Sequence, residues 1–238
     1  MMRTVALRVG AAVSACAGLV GIAGCGSDDT VDTPGSSPFS APVTAAPGTG
    51  VVVRDSARLS AGLLAATDLP GDFAVVPARD ESHAPAVPTV APTDPPDCGR
   101  LLAPIAQQWP GSAAAASVQF AGPSFATIDI DAASYPDSAL GPAFDALQAQ
   151  PRRCTSYSGA DDDVRIEYRT TALSQPAVGD ASSAFTVTAT SEGLTLTSAT
   201  ALVQVGNMLV QVVVTAPETV DPGVLADLTA AQVRKLRG

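Results

Sequence analysis

The sequence predicts an α+β domain, a mostly antiparallel sheet with three or four helices packed on one face and one disulfide. Short runs in which apolar and polar residues alternate, such as residues 164–169, are typical of half-buried strands. Gly206-Asn207 separates two apolar runs, as in a tight hairpin, and hairpins favour antiparallel pairing. Leu140, Phe144 and Leu147 follow one another at intervals of four and three residues, which indicates a helix.

Four segments have the spacing of apolar residues that is typical of helices. The first covers residues 55–67 and is stopped by Pro70 and Gly71. The second begins just after Cys98 and ends near Trp109, and the third lies between residues 137 and 150. The fourth begins at Asp221-Pro222, since proline suits the first turn of a helix, and basic residues at its end suit the helix dipole.

Six or seven strands are expected between these helices, with one further short strand at residues 73–77. The predicted strands are 117–120, 124–131, 164–169, 185–189, 194–198, 201–205 and 208–215. Residues 209–214 form the most continuously apolar run after the first 25 residues, so we place them in the centre of the sheet, where no edge is exposed. Residues 78–97 are rich in proline and are predicted to be a long loop.

The first 25 residues have the pattern of a bacterial lipoprotein signal. Arg3 and Arg8 precede an uncharged stretch of small and apolar residues. Only 16 residues separate Arg8 from Cys25, fewer than the roughly 20 that a membrane-spanning helix needs. Residues 21–25 resemble a lipobox, whose cysteine becomes the lipidated N-terminus. The alternative is a conventional secretory signal with a chance cysteine near its end.

The chain is therefore expected to have three parts. Residues 1–24 are the signal peptide, residues 25–53 are a disordered tether and residues 54–238 are a single domain. The tether contains mostly Ser, Thr, Pro, Gly, Asp and Ala, which offer almost nothing to bury. The anchor would hold the protein at the outer, extracytoplasmic side of the cell membrane.

The overall charge excludes one class of partner and argues for contact with the membrane through lipid alone. Thirteen basic and 23 acidic residues give a formal charge of −10, whereas a nucleic-acid-binding protein needs a basic surface. An anionic domain is repelled by anionic lipid headgroups. We therefore expect the membrane to be contacted through the acyl groups on Cys25, and we expect no nucleic-acid partner.

The four cysteines have separate predicted roles. Cys16 is removed with the signal peptide and Cys25 is the lipidation site, so Cys98 and Cys154 remain in the exported domain. In an oxidising compartment such a pair is most simply a disulfide. The alternatives are a metal site, for which two cysteines and the distant His83 supply too few ligands, and a reactive Cys-His pair. We predict no metal and no cofactor.

Two groups of carboxylates are candidate sites. Asp161, Asp162 and Asp163, together with Glu167, could bind a hard cation, although three adjacent aspartates are more often a solvated turn. Asp129 and Asp131 lie on the same face of a predicted strand, as paired carboxylates for acid-base chemistry would. An exposed strand face explains the same alternation.

Other candidate residues favour structural roles. Ser182 and Ser183 lack a nearby base and a nucleophile-elbow pattern, which argues against a triad hydrolase. Trp109 and Tyr135 either line a pocket or pack against the helix ends, and packing is the better interpretation. No catalytic residue is therefore predicted.

Several of these segments together resemble the PknH-like extracellular sensor domain and related lipoproteins of mycobacteria. The segments are residues 67–73 after the first helix, Cys98 to Leu102, Phe144 to Cys154, residues 176–185 and residues 205–210. The resemblance covers roughly residues 57 to 237. It implies an exported domain with a cleft and two disulfides, and this chain has cysteines for one.

These observations lead to a ranked set of functions. The first is a lipid-anchored binding module, without catalysis, for an envelope lipid, glycan or protein partner. The alternatives are an envelope hydrolase that uses carboxylates, based on Asp129, Asp131 and residues 161–163, and a structural or accessory lipoprotein.

Overall fold

The computed structural model describes residues 39–70, 72–77, 92–161 and 163–238. The predicted signal peptide, Cys25, the first part of the tether, His83 and Asp162 lie outside the described residues. Within the described part, no helix is both long enough and apolar enough to cross a bilayer.

The described residues form one antiparallel sheet of nine strands, which confirms the predicted α+β class. The strands are β1 (Ala74–Val75), β2 (Thr93–Asp94), β3 (Ala114–Ala121), β4 (Thr127–Ser134), β5 (Ser156–Asp161), β6 (Val164–Ala172), β7 (Ala181–Ser191), β8 (Leu194–Val205) and β9 (Met208–Pro217). Their order across the sheet is β1-β3-β4-β9-β8-β7-β6-β5-β2. The apolar run in β9 is thus central, as predicted, between β4 and β8.

Four α-helices accompany the sheet in the described part of the chain. They are α1 (Ser56–Ala61), α2 (Ile105–Gln108), α3 (Asp137–Arg153) and α4 (Pro222–Arg237), and Pro96–Arg100 form a 3₁₀ helix before α2. Two of them begin at a capping aspartate. Asp55 accepts hydrogen bonds from Ala57 N and Arg58 N, and Asp221 accepts one from Gly223 N at 2.8 Å.

The helices divide between the two faces of the sheet, whereas the sequence analysis expected them on one face. Helices α1 and α4 cover what we call the aliphatic face, whose core contains Phe120, Ile128, Ile130, Val212 and Val214. Helices α2 and α3 cover part of the opposite face, which carries Asp129, Asp131, Gln204, Gln211, Leu202 and Leu209 and which we call the polar face. The central strands β8 and β9 are buried on both sides, and such strands need cover on both faces.

The hairpin and the strand bounds differ in detail from the prediction. Gly206-Asn207 joins β8 and β9, as predicted. The two predicted strands 194–198 and 201–205 are one continuous strand, β8. The sequence analysis missed β5 and β2, which form the far edge of the sheet, because β5 carries little alternation and β2 is only two residues long.

Residues 39–53, which the sequence analysis assigns to the disordered tether, form an extended segment bound to the domain. We call this segment the strap. The side-chain amide of buried Gln148 pairs with both backbone groups of Val43, at 2.9 and 2.6 Å. Buried Gln204 pairs in the same way with Ala46, at 2.9 and 2.8 Å. The strap is held mainly through its backbone, so its composition gives no sign of the interaction.

Candidate functional site

The polar face contains a cavity of about 900 Å³ that the helices leave open. Its floor is formed by β3, β4 and β9, and its walls by the loop before α2 and by β1 with the residues that follow it. The lining side chains are a mixture of polar and apolar groups. They include Val75, Val76, Leu102, Pro104, Ser117, Gln119, Asp129, Asp131, Gln211, Val213 and Thr215.

Asp131 is the buried carboxylate of this cavity, with 7% of its surface exposed. One of its oxygens, Oδ1, accepts a hydrogen bond of 2.6 Å from the backbone N–H of Ile105, the first residue of α2. The other, Oδ2, is 3.4 Å from Gln211 Nε2 on the neighbouring strand. Asp131 therefore fixes the start of α2 through one oxygen, and its second oxygen has only a long contact.

Asp129 lies two residues before Asp131 on the same face of β4. Its Oδ1 accepts a hydrogen bond from Gln119 Nε2 at 2.5 Å, and its Oδ2 accepts one from the Thr127 hydroxyl at 3.0 Å. Both partners lie on strands of the cavity floor. Gln119 on β3 is directly opposite Asp129, and Thr127 lies on β4 itself. The predicted pair of carboxylates is therefore brought to one cavity.

Burial changes the acidity of both carboxylates. Desolvation raises the pKa of Asp131 to about 7, against the effect of the Ile105 hydrogen bond, and the nearby charge of Asp129 raises it further. Desolvation also raises the pKa of Asp129, while its bonds to Thr127 and Gln119 lower it. A group that enters this cavity near neutral pH thus meets a carboxyl that can gain or lose a proton at little cost.

Glutamine side chains connect the cavity to α2. Gln211 Oε1 accepts a hydrogen bond of 2.9 Å from Gln108 Nε2, and Gln108 also donates to the carbonyl of Ala103 at 2.5 Å. Sequence analysis did not single out these residues. The polar positions of β9 were the available signal, since Gln211 interrupts an otherwise apolar strand.

The disulfide joins the end of α3 to the 3₁₀ helix that precedes α2. Cys98, in the 3₁₀ helix, and Cys154, which caps the end of α3, form a disulfide with Cα atoms 5.6 Å apart. This confirms the predicted pairing of the two cysteines, and the bond connects the end of α3 to the helical turn before α2. The bond lies against Leu101, Tyr157 and Phe185, in a small core of its own.

The other candidate residues have structural surroundings in the described part of the chain. Asp161 ends β5 and is exposed, and Glu167 forms a hydrogen-bonded ion pair with Arg165. No group of three potential ligand side chains that could hold a metal ion occurs among the described residues. The Ser182 hydroxyl accepts a hydrogen bond from Val178 N at 3.2 Å.

Tyr135 packs in the core, as predicted, whereas Trp109 packs against that core and also borders a pocket beside the disulfide. Tyr135 is completely buried, and its hydroxyl donates a hydrogen bond of 2.7 Å to the carbonyl of Trp109. This core lies between α3 and the sheet. Neither lines the cavity on the polar face.

Comparison with known proteins yields structural likeness alone. The chain is similar to the extracellular domain of PknH from Mycobacterium tuberculosis, with 17% identity, a TM-score of 0.49, and coverage of 78% of this chain and 98% of that one. It is also similar to an uncharacterized protein of Mycobacterium smegmatis, a Rv0999 ortholog, with 15% identity, a TM-score of 0.41, and coverage of 72% and 93%. The first is the domain that the sequence motifs resemble. No protein-family model and no curated protein matches the chain.

Proposed function

We propose that this chain is a lipid-anchored lipoprotein of the cell envelope whose exported domain binds an envelope ligand without catalysis. The observation that carries the proposal is the cavity of about 900 Å³ on the polar face, which contains the buried carboxylate of Asp131. Cavities of this size that combine apolar walls with a few placed polar groups are typical of ligand sites.

Binding is favoured over catalysis because the polar side chains of the cavity hold one another in place. Asp131 supports α2, and Asp129 is bonded to Gln119 and Thr127. None of the described lining residues is a histidine, cysteine or lysine, so Asp129 and Asp131 are the ionisable groups among them.

The binding proposal is tested by filling the cavity. Ser117 is exposed and lies on the cavity floor, so Ser117→Trp places a large ring in the cavity. The matched control is Ser156→Trp, an exposed serine at the start of β5 that does not line the cavity. Each protein is incubated with envelope lipids and glycans and recovered, and native mass spectrometry then measures which species remain bound.

We expect a bound species with the unchanged protein and with Ser156→Trp, and none with Ser117→Trp. A species that persists in Ser117→Trp would place the binding site elsewhere. The absence of any bound species from all three proteins would argue against the binding function itself.

The lipid anchor is tested separately at Cys25. Cys25→Ala should abolish labelling with radioactive palmitate and leave the longer precursor uncleaved. The matched control is Cys16→Ala, because Cys16 belongs to the part of the chain that cleavage removes. Unchanged labelling of the Cys25→Ala protein would overturn the lipobox interpretation.

The strap sets the reach of such an anchor. Residue 39 is the first described residue, and residues 26–38 lie between it and Cys25. Thirteen residues span at most about 45 Å even when they are fully extended. The domain would therefore stay closer to the membrane than a tether of residues 25–53 would allow.

A second candidate function is a hydrolase that uses the two carboxylates. Both carboxylates line one cavity, and same-face neighbours along a strand are about 7 Å apart. Inverting glycosidases have carboxyl groups at about this separation. The test measures the release of reducing sugar from envelope glycans. Release that is lost in Asp131→Asn and kept in Asp227→Asn, on α4, would support this candidate. No release by the unchanged protein would exclude it.

A further inference from the structure

The side chains that donate to the two carboxylates are bonded within the protein, whereas the carboxylate oxygens can still accept further hydrogen bonds. Gln119 Nε2 and the Thr127 hydroxyl both donate to Asp129. Gln211 Nε2 is directed at the Ala103 carbonyl, at 3.3 Å, and at Asp131 Oδ2, at 3.4 Å. The Gln119 amide and the Thr127 hydroxyl, which are the donors bonded to Asp129, are therefore already engaged within the protein.

The two carboxylates keep spare capacity to accept hydrogen bonds. An ionised carboxylate offers about four acceptor positions. Asp131 receives one short bond from Ile105 N and one long contact from Gln211, although it is 7% exposed and has little access to water. A ligand group that donates to Asp131 would use these positions, and a cationic donor would also favour the ionised form of this carboxyl, whose pKa is raised by burial.

The charge of the cavity favours a cation. Asp129 and Asp131 both line it, and among the described lining residues there is no lysine, arginine or histidine. Since charges interact more strongly where water is partly excluded, an anionic ligand is repelled here and a cationic one is attracted.

The walls of the same cavity are apolar. Val75, on β1, has 52% of its surface exposed, and Leu102, before α2, has 38% exposed. Both line the cavity, together with Val76, Pro104 and the buried Val213. Exposed aliphatic side chains that border a polar site mark a place where an apolar part of a ligand can be buried.

We propose that the ligand of the polar-face cavity is an amphiphilic aliphatic amine, whose ammonium group pairs with Asp129 and Asp131 and whose alkyl chain lies against Val75 and Leu102. An ammonium group has three donors and no acceptor, which matches what the cavity lacks. This inference rests on the proposed binding function and names the chemistry of its ligand.

The test uses three probes with the same alkyl chain and different head groups: octylamine, octanol and octanoate. Each is titrated into the full-length protein by isothermal calorimetry at neutral pH, below the concentration at which it aggregates. We expect octylamine to bind about tenfold more tightly than octanol, and octanoate to bind more weakly than either.

Neutral replacements of the carboxylates identify the pairing group. Asp129→Asn and Asp131→Asn should each weaken octylamine binding about tenfold and leave octanol binding unchanged. Asp227→Asn, an exposed position on α4, is the control and should change neither. Asp129→Asn carries the test if Asp131→Asn does not fold, since Asp129 makes no bond to α2.

The outcomes separate this inference from the function on which it rests. Equal affinity for octylamine and octanoate, or octylamine affinity unchanged in Asp129→Asn, would overturn the amine and leave the binding function standing. The amine is also overturned if no probe binds while native mass spectrometry finds an envelope ligand. If neither experiment finds a ligand, the binding function itself fails.

Discussion

The two faces of the sheet are built from the same strands and are packed in different ways. Alternate residues of β4 supply Ile128 and Ile130 to the aliphatic face and Asp129 and Asp131 to the polar face. The aliphatic face is covered by α1 and α4 and has a continuous core. The polar face is covered by α2, α3 and the strap over part of its area, and the cavity lies over the part formed by β3, β4 and β9.

This difference separates the part of the domain that stabilises the fold from the part in which we propose a ligand site. A continuous aliphatic core stabilises the fold through the area that it removes from water. Buried carboxylates and amides contribute less to stability, because their desolvation offsets much of what their hydrogen bonds gain. The polar face thus contributes less to stability, and it is the face on which we propose that a ligand binds.

The largest expected effect comes from opening the aliphatic face. Phe120 is completely buried in its core, so Phe120→Ala should lower the free energy of unfolding by about 3–5 kcal/mol. Val212→Ala on this face and Val213→Ala at the cavity remove the same atoms from buried valines of β9, and Val213→Ala should cost less because its site borders the cavity. Urea denaturation measures all three, and equal losses from the two valine replacements would contradict the contrast between the faces.

The disulfide should have the next largest effect, on the polar side. It closes a loop of 56 residues, and its loss through paired Cys98→Ala and Cys154→Ala should cost about 4 kcal/mol. Unfolding of the unchanged protein in the presence of a reductant is the matched measurement. If reduction leaves the midpoint of urea unfolding unchanged, the disulfide does not stabilise the fold as we predict.

The buried carboxylate should make stability depend on pH. The folded pKa of Asp131 is raised to about 7, above that of the unfolded chain. Between about pH 4 and pH 7 the folded state therefore holds a proton that the unfolded state has lost, so stability falls as the pH rises through this range and levels off above it. The fall should reach at most about 4 kcal/mol, and the raised pKa of Asp129 acts in the same direction.

Urea denaturation between pH 4 and pH 8 measures this dependence. Asp131→Asn should remove most of it and Asp227→Asn should remove none. Tyr135 faces Asp131, but its pKa is raised to about 12, so it does not titrate in this range. A protein that gained stability from pH 4 to pH 7 would contradict the assignment of Asp131 as a destabilising anion.

The smallest of these effects concerns the strap. Gln204→Ala leaves the backbone N–H and carbonyl of Ala46 without their partner and should cost about 1–3 kcal/mol. Amide hydrogen exchange should become faster within residues 39–53 and stay unchanged in the aliphatic core. Gln107→Ala, an exposed position on α2, is the control. Unchanged exchange in Gln204→Ala would show that the strap is held elsewhere.

Much of the fold could be predicted from periodicity. The hairpin at Gly206-Asn207, the central position of β9 and the long helix α3 follow from local patterns of apolar residues and turns. The short elements α1, α2, β1 and β2 were harder, because segments of two to six residues are defined by their tertiary neighbours more than by propensity.

The site could be predicted only in part. Sequence analysis identified Asp129 and Asp131 as a pair on one strand face, and the structure places both in the cavity. It could not identify Gln119 and Gln211, since their importance comes from strands β3 and β9 that pair with β4 on either side. The strap was missed for a related reason, because glutamines far along the chain bind its backbone.

The sequence by itself determined the α+β class, the cysteines that are bonded and the alternation that gives β4 one apolar and one acidic face. These properties depend on local spacing and on the pairing chemistry of cysteine. Tertiary structure alone decided that helices cover both faces, that the strap belongs to the domain and that a cavity remains over Asp131. The physical reason is that burial and the pKa of a carboxyl depend on which distant elements exclude water from it.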